Sequence, residues 1–561
     1  MKLWFKVLLP TVLVCALGAI LASPAFAFTG SMWPNYAYPV VVPPPSSPAV
    51  ATLLAGSSVK PVDGWNQCYL TGTPYQIGFQ NGYYGAISGD LYTQMYVDGS
   101  QLTWPSGTYG VGAPVKGATA ISNECKAGVA MWPLIPVEYQ QELQGIADGA
   151  AAWYAAQGLT CPDNLWDVVM NNAWSDKSTY TTGGTITAAS AASPSIITTK
   201  DPNGLVSGMT VTIAGSNSTP SINGAQVVTV IDATHFSIPV AVTTAGTAGT
   251  FTTTSPPPIP ASPSSAPLAL QHGVQALPPV SAAVQAAEKS VKDTPPVKER
   301  CSAFIATGPD WTVDGKAITA HNTWSSWSGQ IEYNYMFYVH PKYGYDYTYK
   351  SCGYSIWSGQ DYYANSSGLI MTETTLSDRA KAPGGIPIFA RAAEVAQYAA
   401  TVHDAEFYRS VSNEYTVRDT PAQGGLHMGF QAGSAQSNGN YCNEWLIGDS
   451  TGKIASIILG SLAYDLHETT DGFYGSCNYG WGPNVLYENS KSTPTPNGSG
   501  TVAAGTPPAR WNRWIQIAAQ YRGKGAIDAE TGMKFQGDHF DTGNGLANNR
   551  TANALDRKSV V

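Results

Sequence analysis

Between residues 301 and 324 the chain places a thiol, an imidazole and an amide inside one predicted hairpin, CSAFIATGPDWTVDGKAITAHNTW. Ala303–Ala306 reads as a strand, Val313–Lys316 as a turn carrying Asp-Gly, and Ala317–Ala320 as the returning strand. A hairpin brings the chain back to its start, so His321 is expected near Cys301. A thiolate is a strong nucleophile and needs a base to form it. His321 could orient the thiol or the substrate, and its charge is adjustable near neutrality. A cut between Arg300 and Cys301 would also create an α-amine beside the thiol, with an ordinary pKa of about 7.7–8 that suits base work. The plain alternative stays open: a buried or disulfide-bonded cysteine, with a histidine satisfied by polar neighbours.

Other residues could complete such a site. Asn322 and Asn443 can offer amide N–H groups to an oxyanion, where preorganised donors contribute most. Trp324 and Trp445 fit a pocket wall or plain core. Asp361 and Glu373 could brace a cation such as Arg513. Each of these also has a purely structural reading as a turn, network or core residue. No metal or cofactor is expected: His427, His467 and His539 are scattered, Asp538-His539-Phe540-Asp541 is only a weak pattern, and there is no HExxH or CxxC. Gly384-Gly385 and Gly424-Gly425 are not phosphate loops, and no GxSxG elbow occurs.

The elements that must position these groups belong to a chain of 561 residues, long enough for two or three domains and a sizeable core. Hydrophobic content of 43% fits a globular protein, and charged content of 12% is low. A net charge of -9 without a basic stripe argues against nucleic acid. Lys2, Lys6, an apolar run to Leu21 and Ala25-Phe26-Ala27 read as a secretory signal over 1–27, so a secreted or periplasmic location is expected. An uncleaved anchor is the alternative. No later segment has the apolar length to span a bilayer. After export Cys68, Cys125, Cys161, Cys301, Cys352, Cys442 and Cys477 remain; pairing would leave one over, and Cys301 is the choice.

Residues 28–62 are Pro/Ser/Ala-rich and read as a flexible segment. A helical part follows over 63–179, with a turn entering a helix at Gly72–Gly82, weakened by its glycines, and clearer helices over Pro136–Ala155 and Leu165–Asn172. From 180 to 255 short Thr/Ser/Val runs such as Met209–Ile213, Val227–Ile231 and His235–Ile238 indicate a compact inserted β domain, a spacer or a carbohydrate- or surface-binding module. Residues 256–300 form a Pro/Ala-rich linker, with a short helix over Val280–Lys292, where cleavage is sterically easy. Over 301–561 strands are expected at Tyr333–His340, Tyr345–Tyr349, Leu369–Thr372, Glu444–Ile447 and Ile454–Leu459. Helices are expected at Ile388–Val402 and Ala509–Tyr521, the latter with Arg510 and Arg513 on one face.

Cys301-Ser302-Ala303-Phe304 with His321-Asn322-Thr323-Trp324 resembles the phospholipase B-like family of N-terminal nucleophile (Ntn) cysteine hydrolases. Ser358–Leu369 running on to Glu373-Thr374-Thr375, and Tyr441-Cys442-Asn443-Glu444-Trp445, are similar to two further blocks of that family. The Gly72–Gly82 block also resembles the related acyltransferase and penicillin-acylase-like cysteine hydrolases, toward whose bacterial acylase-like branch the Asp314-Gly315-Lys316 turn departs. The resemblance covers most of 65–177 and 300–550. It implies an α+β fold, a four-layer αββα sandwich, here with the small all-β domain inserted. It also implies a precursor that cuts itself between Arg300 and Cys301, leaving chains that remain associated, with a homodimer allowed. Cys301 would then be the catalytic nucleophile, with His321 and Asn443 at the active site and Asn443 in the oxyanion hole. Asn322, Trp324, Asp361, Glu373, Trp445 and Arg513 would line or support the pocket. The expected reaction is hydrolysis of a linear amide in a small N-acyl substrate through an acyl-enzyme. Deacylation of a phospholipid is the second reading, and a secreted, non-catalytic binding or scaffold protein the third.

Overall fold

The structure, a computed structural model, describes residues 45–62, 65–86, 102–108, 110–173, 183–261, 301–322, 335–351, 353–356, 362–376, 387–405, 442–459, 464–477 and 507–538. The segment 1–27 expected to be a secretory signal, the helix expected at Val280–Lys292, Arg300, Trp324, Asp361, His427 and His539 lie outside the described residues, as do the side chains of Cys442 and Asn443.

In chain order the N-terminal part contains α1 (Pro48–Leu54), β1 (Ser58–Val62), β2 (Trp65–Gly72), α2 (Pro74–Gly85), α3 (Ala118–Lys126), α4 (Val137–Ala156) and α5 (Leu165–Asn172). The glycines that weakened the helix reading at 72–82 turn out to be what α2 is built for. Thr73 and Gln76 close a capping box and Pro74 occupies the first turn. A Cβ added to Gly78 or Gly82 would lie 1.9 Å from the carbonyl oxygen of Glu142 or Ile146, and one on Gly149 would lie 2.0 Å from that of Phe79. Glycine costs a helix roughly 1 kcal/mol; here it lets two helical backbones touch.

Beyond the β-rich middle the chain forms β12 (Tyr335–Pro341), β13 (Tyr347–Ser351), β14 (Tyr362–Asn365), β15 (Ile370–Leu376), α6 (Ile388–Tyr398), β16 (Cys442–Gly448), β17 (Ile454–Leu459) and β18 (Tyr464–Thr469). These strands make a nine-stranded sheet in the order β1-β2-β12-β13-β14-β15-β16-β17-β18. Its one parallel pairing, β2 with β12, stitches the N-terminal part to the C-terminal part. Alternate residues of the sheet, among them Cys68, Leu70, Tyr335, Phe337, Val339, Tyr349 and Met371, share one apolar core with Phe79, Tyr83, Leu143 and Ile146 of α2 and α4 and Phe389 and Val395 of α6.

A second, three-stranded sheet has the order β11-β10-β19, with β10 at Ser302–Ala306, β11 at Ile318–Asn322 and β19 at Phe473–Ser476. Every residue of β10 is buried. Ala303 and Ile305 pack with Ile370, Leu446 and Ile454 of the large sheet. Phe304 and Ala306 pack with Trp311, Phe473, Trp514, Ile517 and Phe535, under α7 (Pro507–Tyr521) and α8 (Ala529–Gln536). Burial on both faces explains why this strand reads as an unbroken apolar run. The chain is thus α+β.

The predicted hairpin forms, with its strands in register from Ser302↔Asn322 to Ala306↔Ile318. Its turn differs: Asp314 and Gly315 (φ 75°) close a longer loop, in which Gly308 N–H donates to the Gly315 carbonyl. The length accommodates the buried Trp311 and a bridge from Thr312 to Ile527. His321 and Asn322, taken from sequence as following the strand, are part of β11.

Between the two halves lie β3 (Gly183–Ala189), β4 (Ser195–Thr199), β5 (Thr210–Ala214), β6 (Gly224–Val227), β7 (Thr229–Val230), β8 (His235–Ile238) and β9 (Thr250–Thr253). They form their own seven-stranded sheet in the order β6-β5-β9-β3-β4-β8-β7. Their core includes Val211, Ile213, Phe236 and Phe251, and also takes in Cys125 from α3. The chain leaving this sheet docks on the helices: Trp166 Nε1 donates to the Pro257 carbonyl at 2.8 Å.

Candidate active site

Cys301 and Ala303 project to the same side of β10, because side chains alternate along a strand. His321 lies opposite Ala303 in the register, so it is the diagonal cross-strand neighbour of Cys301 on that side. Glu373 comes from β15 of the large sheet. The Cys301 Sγ, a His321 ring nitrogen and a Glu373 carboxylate oxygen all lie within 4.8 Å of one another. Cys301 and Glu373 are buried and His321 is half-buried. A thiol, an imidazole and a carboxylate are therefore brought together from the start of β10, from β11 and from β15, a set of groups able to act as nucleophile, base and orienting carboxylate. The same atoms are three metal-ligand types in one place, which no sequence motif announced because the ligands are not close in the chain.

Behind the thiol sits Arg510 of α7, which is 4% exposed. Its Nη1 donates to the Cys301 carbonyl oxygen and, at 3.3 Å, to Ser302 Oγ; its Nη2 donates to the Cys477 carbonyl at 2.7 Å. Burial holds the guanidinium below its ordinary pKa, opposed by its attraction to the Cys477 and Cys301 thiolate forms. In the sequence Arg510 stands out only as a neighbour of Arg513. One signal could have singled it out: Arg510, Trp514 and Ile517 fall at i, i+4 and i+7, so an arginine sits on the apolar stripe of its helix.

A second buried polar group carries no sequence signature. Glu444 on β16 accepts hydrogen bonds from Ser456 Oγ at 2.7 Å, Tyr474 Oη at 3.1 Å and Ser476 Oγ. Ser476 also shares a 2.6 Å hydrogen bond with Thr374. The network ties β16 and β17 of one sheet to β19 of the other, beside Cys477 in the chain and opposite Thr374, the residue after Glu373 on β15.

The remaining candidates fall elsewhere. Asn322 faces away from Cys301, opposite Ser302, and its Nδ2 donates to the Gln536 carbonyl at the end of α8 at 3.1 Å. Arg513 does not meet Glu373: its Nε and Nη2 hold the Asp538 carboxylate at 3.1 and 2.6 Å. The reason is helical rotation, which turns residue 513 about 60° off the stripe that carries Arg510. Trp445 is buried in the core beneath α2, α4 and α6. His467 is exposed. Asn443 holds its place in β16, opposite Thr375.

The expected disulfides find no support among the described cysteines; Cys352 and the side chain of Cys442 lie outside the described residues. Among the described residues, Cys68, Cys125, Cys161, Cys301 and Cys477 are all thiols. Cys68 and Cys125 belong to different cores, which keeps them apart. Burial pushes the Cys68 thiol well up, and it pushes Cys125 and Cys477 up to about 12, so none of these three forms thiolate readily. No helix among the described residues is long and apolar enough to cross a membrane.

No protein-family model matches the chain. No curated protein matches it either. Among solved structures, the chain is similar to a single-residue variant of a conjugated bile acid hydrolase from Clostridium perfringens, at 13% identity over 43% of this chain and 70% of that one, with a TM-score of 0.20. So small a shared fraction of geometry is a likeness to a hydrolase and carries no argument about fold or activity.

Proposed function

We propose that this protein is an Ntn-type cysteine hydrolase that cuts itself before Cys301 and then cleaves the amide bond of a small N-acyl substrate. The observation that carries the reading is the meeting of Cys301, His321 and Glu373 within 4.8 Å at the start of β10. The uncut chain has no α-amine at Cys301, so a different base must start the first cleavage. His321, oriented by Glu373, takes the thiol proton; the thiolate attacks the Arg300 carbonyl; the Arg300–Cys301 C–N bond breaks as the new amine takes a proton. Water hydrolyses the resulting thioester and frees the thiol. In turnover the α-amine joins His321 as base, thiolate attacks the substrate carbonyl, the amine leaves, and water releases the acyl group. Asn443 is assigned as the oxyanion donor on the sequence resemblance.

The arrangement of layers supports this reading. Helices α2, α4 and α6 cover one face of the large sheet, the small sheet packs on the other, and α7 and α8 cover the small sheet. We read this as a four-layer αββα sandwich with residues 180–255 inserted. Because β2 lies inside the nine-stranded sheet, the two chains left by cleavage stay together. A secreted or periplasmic location belongs to the same proposal. Intact-mass measurement of the exported protein tests it: a fragment starting at Cys301 is expected, and properly folded but uncut, inactive material overturns it. N-acyl amino acids assayed beside phospholipids decide the bond; turnover of the phospholipid alone would replace amide by ester hydrolysis.

A further inference from the structure

We propose that Cys301, His321 and Glu373 also form a binding site for a divalent cation of the zinc type, and that the bound cation suspends the thiol chemistry. The inference rests on the hydrolase reading for its consequence, not for the ligands themselves. Zinc bonds to sulfur at about 2.3 Å and to imidazole nitrogen or carboxylate oxygen at about 2.0–2.2 Å. Tetrahedral bonds of those lengths put donor atoms roughly 3.3–3.6 Å apart. The three donors here lie within 4.8 Å of one another, so rotamer adjustments of about 1 Å close the site.

The donor set selects the ion. A thiolate and an imidazole disfavour magnesium and calcium, which take oxygen ligands, and suit zinc or cobalt. Charge also balances: one thiolate and one carboxylate neutralise a dication, which makes burial of all three tolerable. Binding replaces the S–H bond by an S–metal bond and releases that proton to solvent. The thiolate lone pair and the imidazole nitrogen are then both engaged, so neither attack nor proton transfer can proceed. Once the chain is cut before Cys301, its α-amine and thiol can close a five-membered chelate ring and supply the fourth ligand. The processed chain is therefore expected to hold the ion more tightly than the uncut one.

The test uses the full chain as isolated and stripped of metal, with its intact mass recorded. Titration with cobalt(II) should give sulfur-to-cobalt charge-transfer absorption and the visible bands of a four-coordinate centre, saturating at one ion per chain and bleached by zinc. Cys301→Ser, His321→Ala and Glu373→Gln should each weaken binding about tenfold or more. Zinc should raise the melting temperature of the parent chain and not of Cys301→Ser, a comparison that stands if any variant folds poorly. Equimolar zinc should stop amide hydrolysis, and a chelator should restore it. Absence of cobalt–sulfur absorption, or a cobalt site that survives Cys301→Ser unchanged, overturns the proposal. An active enzyme without the cobalt site rejects the metal proposal alone, whereas an uncut, inactive chain with the cobalt site rejects the hydrolase reading alone.

Discussion

Arg510 is hydrogen-bonded to the main-chain carbonyl of Cys301, and the same guanidinium reaches the carbonyl of Cys477 at 2.7 Å. One buried side chain from α7 thereby fixes the residue that precedes β10 relative to the residue that follows β19. Cys301 immediately precedes β10, whose register with β11 begins at Ser302↔Asn322, so this anchor ties the thiol-bearing residue to α7.

Arg510→Met should leave two buried carbonyls without their donor and cost about 2–4 kcal/mol of stability. It should also slow cleavage before Cys301. Arg513→Met, which removes a half-buried pair with Asp538, should cost about 1 kcal/mol or less and leave cleavage intact. Urea denaturation with intact-mass time courses checks both; equal effects from the two variants would remove the anchoring role of Arg510.

Cys301→Ala should fold, stay uncut and form no acyl-enzyme. Cys301→Ser should cleave far more slowly, since a hydroxyl is harder to deprotonate than a thiol. Mass spectrometry after exposure to an N-acyl substrate reads both, and a covalent adduct on the Cys301→Ala chain would show that another residue is the nucleophile.

If Glu373 orients His321, then Glu373→Gln should lower the rate of amide hydrolysis with little change in KM, and His321→Ala should lower it by about 10²–10⁴-fold. The double variant should be hardly worse than His321→Ala, because a residue acting through another has nothing left to act on. Additive losses would assign Glu373 an independent role.

Glu142 of α4 lies buried near Tyr347 and Tyr349, and burial, aided by the charge of Glu138, pushes its carboxyl up to about 8. The folded chain keeps a proton that the unfolded chain gives up from 4.5 upward, so stability should fall as pH rises between 4.5 and about 8, then level off. The total loss is on the order of a few kcal/mol. Glu142→Gln should flatten much of that slope and raise stability above pH 8, as measured by denaturant unfolding on either side of the window; an unchanged slope would place the titration elsewhere.

Gly82→Ala puts a methyl group where the carbonyl oxygen of Ile146 already is, 1.9 Å from the new Cβ. Helix propensity alone would favour alanine by roughly 1 kcal/mol. Overpacking against backbone should win, destabilising by about 2–4 kcal/mol. A melting temperature that rises instead would mean α2 and α4 can separate without loss.

The sequence by itself determined the local elements. Helical periodicity placed α4, α5, α6 and α7, and the apolar runs around Asp314-Gly315 placed β10 and β11, because periodicity and turn chemistry are written in neighbouring residues. It also singled out the thiol and the imidazole, since one hairpin joins them. Only the tertiary structure decided the rest. Glu373 meets them from another sheet, after a crossing that no local spacing encodes. Arg510 rather than Arg513 turns inward, because the packed stripe of α7 fixes which arginine is buried. The glycines of α2 change from a weakness to a requirement once α4 lies against them. Contacts between residues distant in the chain depend on how layers stack, and that information is spread over the whole core rather than held in any one stretch.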